Sequence, residues 1–539
     1  MSRCKSLLVL CCGLILFLSW AWPLDSPRLV ILISIDQMRA DYFERFEKEF
    51  TGGLRRLYRE GRVYTQADLN YASSETGPGH ATLATGSYPR THGILANEWP
   101  DRFSRRQMYC VADTSAKAVA GEGGKISPRN LAVTALGDWL KASSPQSKVI
   151  SVAVKDRSAV LMGGQRPDYA FWYSSETGHM VTSDYYLKTL PEWAEQFNAS
   201  NWVETKVPAV WTKLKEEKVY AQLGPDEMAG EFIWGETTTF PHAFQPGREK
   251  SQMLTSPWGD MIILDFAAAA MRAEKLGQRG PTDFLAIGLS CTDYIGHAFG
   301  PDSHEMHDHL LRLDRALGDF LQLVDRIVGK GKYIVALSAD HAVLPLPEYL
   351  TQFKKEKAQR IIYERDLKPG IENSTTKLQQ EIGTDEPLIQ QNAFLNYAAA
   401  AKRGLDSLTF EAKVRTALLQ VEGIADVYFR RELLNPHSPY RPYIDLFRRS
   451  YYAPRGEDFQ IRFCENCLIT SRPTGTTHGS PYRYDTHVPV VFFGKNVKAG
   501  RSDREVHTAD VAPTLAKMLG VSYPASVEGV PLPEIVNTH

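Results

Sequence analysis

Four apolar runs of strand length in this chain each end on residues able to do chemistry. Asp36 follows the run 28–35, Lys155-Asp-Arg157 follows 149–154, Asp293-Tyr-Ile-Gly-His297 follows 283–290, and Asp340-His341 follows 333–338. Asp293 and His297, four apart, share one face of a helical turn and can bind one metal. Lys155 and Arg157, two apart and read as strand, point to one side. A planar guanidinium fork beside an ammonium point charge suits a phosphate-like anion. Any one of these sets has an ordinary explanation, such as Asp36 capping a helix or Lys155 and Arg157 ending a strand in solvent. The same event behind four strands is hard to obtain from packing alone.

A fifth stretch supplies a nucleophile. Glycines flank Pro78 in Thr76-Gly-Pro-Gly-His80, which removes side-chain bulk, and Pro78 suits the first turn of a helix. Thr76 then lies at a helix N-terminus, where free N–H groups and the helix dipole favour negative charge. A threonine hydroxyl becomes a useful nucleophile only with a base or a metal. The donors available are Asp36, Thr76, Asp293, His297, Asp340, His341 and one of His478 or His487. Oxygen and imidazole donors without cysteine suit catalytic zinc, and seven ligands suit two Zn2+ ions. Paired metals about 3.5–4 Å apart clamp the attacking and leaving oxygens of a phosphoryl displacement. Asn97 ends a nearby loop, and Glu75, beside Thr76, either tunes the nucleophile or faces solvent. His304, His307 and His309 in the first turns of a later helix look like a metal site, but His304 and His307 lie on a polar face at the helix start and read as surface residues.

The elements needed to hold these groups follow from the same pattern. Continuous apolar strands are buried on both faces, as in a parallel sheet, and open α/β folds bind ligands beyond the carboxyl ends of such strands. The expected fold is α/β: a mostly parallel central sheet with helices on both faces, plus an inserted α+β subdomain. Helices are expected over 38–46, 126–144, 261–276 and 507–519, with a strongly amphipathic one carrying Leu310, Leu313, Leu317 and Leu321. Residues 165–250 are rich in aromatics without clear periodicity and read as excursions off the sheet. The strand-helix rhythm breaks at 345–475, read as the inserted subdomain with charged helices near 348–356 and a small sheet of its own. The flanking parts, 22–344 and 476–539, form the catalytic domain.

Composition fits this picture. The chain has 539 residues, 43% of them hydrophobic, and a net charge of −1, so no global field draws it to nucleic acid or an acidic membrane. Residues 1–21 resemble a secretory signal, with Arg3 and Lys5 before an apolar run and Ser19-Trp-Ala21 as the cleavage site. A periplasmic or secreted protein is expected, with no membrane contact after signal cleavage. Beyond the signal, Cys110, Cys291, Cys464 and Cys467 remain, and an even number in an oxidising compartment suggests disulfides. Cys464 and Cys467 could close on each other. Asn198-Ala-Ser and Asn373-Ser-Thr are glycosylation sequons only in a eukaryotic secretory route.

Together the motifs Thr76-Gly-Pro-Gly-His-Ala-Thr, His92-Gly-Ile-Leu-Ala-Asn97-Glu-Trp, Lys155-Asp-Arg157, Asp293-Tyr-Ile-Gly-His297, Ser338-Ala-Asp-His341 and Thr477-His-Gly-Ser-Pro-Tyr resemble one family. This is the alkaline phosphatase superfamily, within it the type I phosphodiesterase/nucleotide pyrophosphatase group, and most closely the phosphate-irrepressible alkaline phosphatases. The resemblance runs from Ser34 to the closing Asp510-Val-Ala-Pro-Thr-Leu helix. It implies that Asp36, Asp340 and His341 hold one zinc, which also takes the Thr76 oxygen, and that Asp293, His297 and His478 hold a second beside the leaving-group oxygen. His478 is preferred to His487 because its His-Gly unit matches the family's ligand. Thr76 would carry a phosphothreonine intermediate, with Asn97, Lys155 and Arg157 on the non-bridging phosphoryl oxygens.

Two cations at those oxygens favour small-molecule phosphate monoesters, which carry more negative charge than diesters. Diesterase relatives generally lack the pair. The alternatives are a nucleotide pyrophosphatase/phosphodiesterase or phosphonate hydrolase on the same site, and a non-catalytic phosphate- or metal-binding protein. A sulfatase needs a Cys or Ser nucleophile, which Thr76 does not supply.

Overall fold

The first apolar run forms a strand, β1 (Leu29–Ile35), buried over its whole length. Its alternation splits two cores: Leu29, Ile31, Ile33 and Ile35 face one apolar cluster, Val30 and Leu32 the other. The computed structural model describes residues 26–121, 124–391 and 393–536, so the signal-like stretch 1–21 lies outside the described residues. In chain order the other sheet strands are β2 (Arg62–Asp68), β3 (Ala118–Val119), β4 (Val149–Ala153), β5 (Tyr169–Ser174), β6 (His179–Ser183), β7 (Asp283–Leu289), β8 (Tyr333–Ser338), β9 (Val490–Gly494) and β10 (Gly500–His507). They form one mixed ten-stranded sheet in the order β10-β2-β9-β8-β1-β7-β4-β5-β6-β3. The centre, β8-β1-β7-β4-β5, is parallel, while β9 and β6 run antiparallel to their neighbours.

The helices that matter for the site are α1 (Thr76–Thr85), α2 (Leu136–Ser143), α3 (Asp156–Gly163), α4 (Trp258–Ala273), α5 (Cys291–Phe299), α6 (His304–Val324) and α7 (Val511–Leu519). Phe266 of α4 and Leu310 and Leu317 of α6 pack into the core on one face of the sheet. Leu140 of α2 and Leu515 of α7 pack on the other. Both faces are thus covered by helices, which is why the central strands are apolar at most positions on both faces.

Several expectations shift. The helix expected over 126–144 begins only at Leu136, after a short turn at Pro128–Asn130. The Gln165 side-chain amide donates to the carbonyls of Leu131 and Val133, so tertiary partners hold that stretch extended. The helix expected over 38–46 shrinks to Tyr42–Phe46. Strand β4 stops at Ala153; Lys155 is the N-cap of α3 and Arg157 lies in its first turn, so the two do not alternate along a strand.

Residues 345–475 carry helices Lys368–Ile382 and Ser407–Leu418 over an apolar cluster of their own, including Phe410, Val427 and Phe459. In place of one small sheet they hold separate two-stranded ladders: Gln359–Ile362 with Cys467–Thr470, Ile389–Gln390 with Phe394–Leu395, and Ile424–Phe429 with Phe459–Phe463. The charged stretch 348–356 is one helical turn, Pro347–Tyr349, running into a wider turn, Leu350–Lys354. Cys464 and Cys467 are joined in a disulfide, whereas Cys110 and Cys291 are free and buried, so a second pairing is not formed. Among the described residues no helix is long and apolar enough to cross a membrane.

Candidate active site

The four chemistry-bearing runs turn out to be the four adjacent strands β8-β1-β7-β4, all parallel. Their carboxyl ends lie side by side, so Asp340 and His341, Asp36, the α5 residues Asp293 and His297, and Lys155 with Arg157 meet at one edge of the sheet. The amide of Asp36 donates to the Leu289 carbonyl at 2.8 Å, which carries the β1–β7 register to the tip itself. The site is buried, with Asp36, Asp340 and His341 wholly shielded from solvent.

Thr76 reaches this edge on the first turn of α1. A Cβ on Gly79 would overlap the backbone and side chain of Asp340, so only glycine lets α1 dock against the β8 tip. The Thr76 hydroxyl oxygen lies 3.4 Å from Lys155 Nζ and 3.4 Å from Arg157 Nη2. Asn97 accepts from the Gly77 amide through Oδ1 at 2.8 Å, leaving its NH2 group as the donor available at the helix N-terminus. Glu75 does not face solvent alone: its Oε2 accepts from the Asn97 amide at 2.7 Å, which fixes the loop carrying that side chain.

Two donor groups sit beside Thr76: Asp36, Asp340 and His341; and Asp293, His341 and His478. The three histidines that approach the carboxylates through Nε2 are oriented the same way. The Nδ1 of His297, His341 and His478 each meets a backbone carbonyl, of Thr476, Ala342 and Ser74, at 2.8, 3.0 and 2.6 Å. That contact fixes a tautomer with Nδ1–H donating and leaves Nε2 as the free lone pair, the arrangement metal-ligating histidines use. Asp340 Oδ1 accepts the amides of Gln37 and His341 at 3.1 and 3.0 Å, which turns Oδ2 inward.

Buried acceptors without hydrogen bonds collect at this point: both oxygens of Asp36, Oδ2 of Asp340 and Nε2 of His341. Buried charge of this kind is stable only when paired or bound to a cation. The Lys155 ammonium answers part of it, 2.8 Å from Asp36 Oδ2 and 2.6 Å from Asp293 Oδ2. Burial raises the Asp36 carboxyl, repulsion from Asp340 raises it further, and Lys155 offsets only part of both. Burial would also raise Asp293, but His297 and Lys155 outweigh it and hold it well below the usual carboxylate range. Burial pushes His341 down to about 3, favouring the neutral, ligating imidazole. His478 moves the other way: burial opposes its charge, but the hydrogen bond to Asp293 prevails. Oxygen and imidazole donors, orphaned acceptors and fixed tautomers together fit a bound metal ion.

Asp36, Thr76, Asn97, Lys155, Arg157, Asp293, Asp340, His341 and His478 therefore share one centre. His297 meets it at Asp293 Oδ1, 3.1 Å from its Nε2, and at the His478 ring, 5.0 Å between centroids, while the second donor group takes His341 in its place. His487 is elsewhere, its Nε2 bonded to the Thr65 carbonyl at 2.9 Å.

The expectation that His304 and His307 lie at the surface is wrong. His304, His307 and His309 are 2%, 0% and 0% exposed. The irregular segment around residues 205–245 folds over the start of α6, with Trp211 Nε1 and Tyr220 OH each donating to Asp308 at 2.7 Å. Two residues at the centre escape sequence reasoning. His80 approaches Asp340 Oδ2 at 3.2 Å through Nδ1, and Gln37 donates to Asp293 Oδ1 at 2.7 Å. Their signals were present: His80 is one helical turn after Thr76, and Gln37 follows Asp36 directly.

A family model, type I phosphodiesterase / nucleotide pyrophosphatase, matches residues 30–416. The chain is 35% identical over 517 residues to the alkaline phosphatase PhoV of Synechococcus elongatus, covering 93% of this chain and 92% of that one. It is 33% identical over 528 residues to the alkaline phosphatase PafA of Elizabethkingia meningoseptica, covering 95% and 94%. A crystal structure of wild-type PafA superposes with a TM-score of 0.87 at 32% identity, over 95% of this chain and 99% of that one. A PafA mutant with a threonine, an asparagine, a lysine and an arginine replaced also superposes with a TM-score of 0.87, at 31% identity over 95% of this chain and 99% of that one. With the alkaline phosphatase fold, the strand-tip centre and relatives matched almost end to end, the chain belongs to the type I phosphodiesterase/nucleotide pyrophosphatase family, beside members named alkaline phosphatases.

Proposed function

We propose that this protein is an exported, metal-dependent phosphatase that hydrolyses small-molecule phosphate monoesters through a phosphothreonine at Thr76. The observation carrying the proposal is the convergence of Lys155 and Arg157 on the Thr76 hydroxyl oxygen, each at 3.4 Å, beside two Asp/His donor groups. Two positive groups at one hydroxyl suit a dianionic phosphoryl group better than a diester. The four residue types replaced in the PafA mutant match Thr76, Asn97, Lys155 and Arg157. The relatives' names point to monoesters rather than to the diesterase branch.

Asp36, Asp340 and His341 would hold one zinc, and Asp293, His297 and His478 a second, the Nε2 atoms of both histidines facing Asp293 Oδ1 at 3.1 and 3.5 Å. Bound there, the ions supply Lewis acidity that lowers the pKa of a coordinated hydroxyl and stabilises negative charge on oxygen. Thr76 Oγ1, its proton released to solvent, attacks phosphorus, and the bond from phosphorus to the leaving alcohol's oxygen breaks with its electron pair going to that oxygen, which takes a proton from water. Water, giving up a proton to solvent, then attacks phosphorus from the vacated side, the bond to Thr76 breaks with its electron pair going to Oγ1, which takes up a proton, and phosphate is released. Through both steps Arg157, Lys155 and the Asn97 amide donate to the non-bridging oxygens. His80 and Gln37 hold Asp340 and Asp293 in place. Export is supported by the signal-like residues 1–21 and by the Cys464–Cys467 disulfide, a bond of oxidising compartments.

Thr76→Ala tests the reading. Turnover of a simple aryl phosphate should fall by about 10⁴-fold or more, while metal content by elemental analysis stays near wild type. Persisting turnover would remove Thr76 as the nucleophile.

A further inference from the structure

A cavity of about 330 Å³ lies between the α1 edge and the 345–475 segment, walled by chain neighbours of Thr76, Asn97 and His478. Glu75, next to Thr76, and Gly479, next to His478, form its inner wall. Its far wall comes from that segment: Glu457, Phe459, Gln460 and Phe463, with Trp99 at the side. Its size matches small-ligand sites, and Gly479 places its wall one residue along the chain from His478, which the resemblance puts on the leaving-group side.

The lining is aromatic and acidic. Glu75, Glu98 and Glu457 face it, and the single cation there, Arg462, is already held by the hydroxyls of Tyr428 and Tyr482 at 3.1 and 3.0 Å. Two polar atoms at the cavity, Gln460 Oε1 and Ser73 Oγ, are buried without a hydrogen-bond partner. Oε1 can only accept. Burial, Asp458 and Glu75 together push the Glu457 carboxyl up to about 7, so a cation placed there would relieve crowded negative charge. Aromatic faces beside acidic groups are the surroundings that favour ammonium groups.

Resting on the phosphatase reading above, we infer that this cavity is a leaving-group subsite selecting phosphate monoesters of amino alcohols. The phosphoryl group sits at Thr76, and the ammonium end of the alcohol lies between Glu457 and Glu75, donating to Gln460. The substrate thereby bridges the catalytic edge and the inserted segment, which gives that segment a role in choosing substrates.

The test compares 2-aminoethyl phosphate with propyl phosphate, which has nearly the same shape but no charge on its alcohol. The different intrinsic reactivities of the two alcohols cancel when the ratio of their kcat/KM values is compared between variants. Glu457→Lys should lower that ratio about tenfold, and Glu457→Gln should lower it less. Losses that run parallel on both esters, or a ratio that does not move, overturn the inference while leaving the phosphatase reading intact. Should Glu457→Lys fail to fold, the unmodified enzyme decides. Ethanolammonium should inhibit propyl phosphate hydrolysis at about tenfold lower concentration than 1-propanol, and equal inhibition overturns the inference. A wild-type enzyme that turns over neither ester overturns the phosphatase reading and the subsite with it.

Discussion

Two buried clusters in this protein use the same residue types and arrive at opposite results. One is the strand-tip centre of Asp36, Asp293, Asp340, His341 and His478. The other lies at the start of α6, where His304, Glu305, His307, Asp308 and His309 are equally buried. In the second, the partners are internal: His242 Nε2 meets Glu305 at 2.7 Å, His307 meets Glu49 at 2.6 Å, and His309 meets the Thr292 hydroxyl at 2.9 Å. Asp308 accepts from Trp211, Leu214, Tyr220 and Arg312. In the first, the imidazole Nδ1 atoms are spent on backbone carbonyls, and the remaining donors turn towards one another with few hydrogen bonds. Composition does not separate a metal centre from a structural network. Orphaned atoms do not separate them either, since the Nδ1 atoms of His307 and His309 and Oε2 of Glu305 also lack a hydrogen-bond partner. Convergence of several donor atoms within reach of one ion does, and it depends on which strands are neighbours.

The largest expected effect breaks this contrast directly. Asp340→Ala should cost about 10³-fold or more in kcat/KM, with metal lost from the protein. Asp308→Ala should leave metal content unchanged and turnover within about threefold, but lower stability by roughly 2–4 kcal/mol, because four donors lose one acceptor. Equal metal loss in both variants would show that the α6 cluster is not merely structural.

Next in size is the double variant Lys155→Ala with Arg157→Ala. Phosphate monoester turnover should fall about 10³-fold and diester turnover only about tenfold. Equal losses would mean the two cations do not read phosphoryl charge. Lys155 also neutralises Asp36 and Asp293, so the variant should bind metal at least as well as wild type.

Much of this was legible in the sequence, because strand-length apolar runs announce where a central sheet ends and the charged residues behind them need no further cue. Thr76-Gly-Pro-Gly likewise marked a helix start with an open anion-binding end. What sequence order does not carry is strand order. That β8, β1, β7 and β4 are consecutive in space follows from the crossovers, and only this adjacency sets Lys155 between Asp36 and Asp293. The α6 histidines were misread for a related reason. Whether a polar helix face meets solvent depends on what folds over it, and the segment that does so has no periodicity to reveal its path. His341 entering both donor groups is a matter of side-chain reach below the resolution of any motif.

A smaller effect separates position from charge. Gly79→Ala adds one methyl where α1 meets Asp340 and removes no functional group. Helix propensity improves, yet Thr76 must move relative to the β8 tip. A displacement near 1 Å can cost about 10²-fold, so kcat/KM should fall by that order. The loss should be the same for monoesters and diesters, unlike the loss from the Lys155/Arg157 variant.

The smallest effect concerns pH and belongs to the α6 network. Burial pushes His242 down to about 4, and His307 and His309 down to about 3. All three are neutral in the folded state, whereas unfolded histidine protonates near 6.5. The unfolded chain therefore binds more protons as pH falls below about 6.5, and stability drops from there towards pH 3, by up to about 1.4 kcal/mol per pH unit for each histidine. Glu231 acts in the opposite sense. Burial and repulsion from Glu305 raise it to about 9, so its contribution is present below its unfolded value near 4.5 and erodes as pH rises towards 9. Urea midpoints at pH 4.5, 6.5 and 8.5 should fall steeply on the acid side and gently on the alkaline side. His307→Gln should flatten the acid limb, since it removes one of the protons taken up on unfolding. An acid limb of unchanged slope would mean that these imidazoles are not held neutral, and the contrast between a structural histidine network and a centre whose donors converge on one point would lose its physical basis.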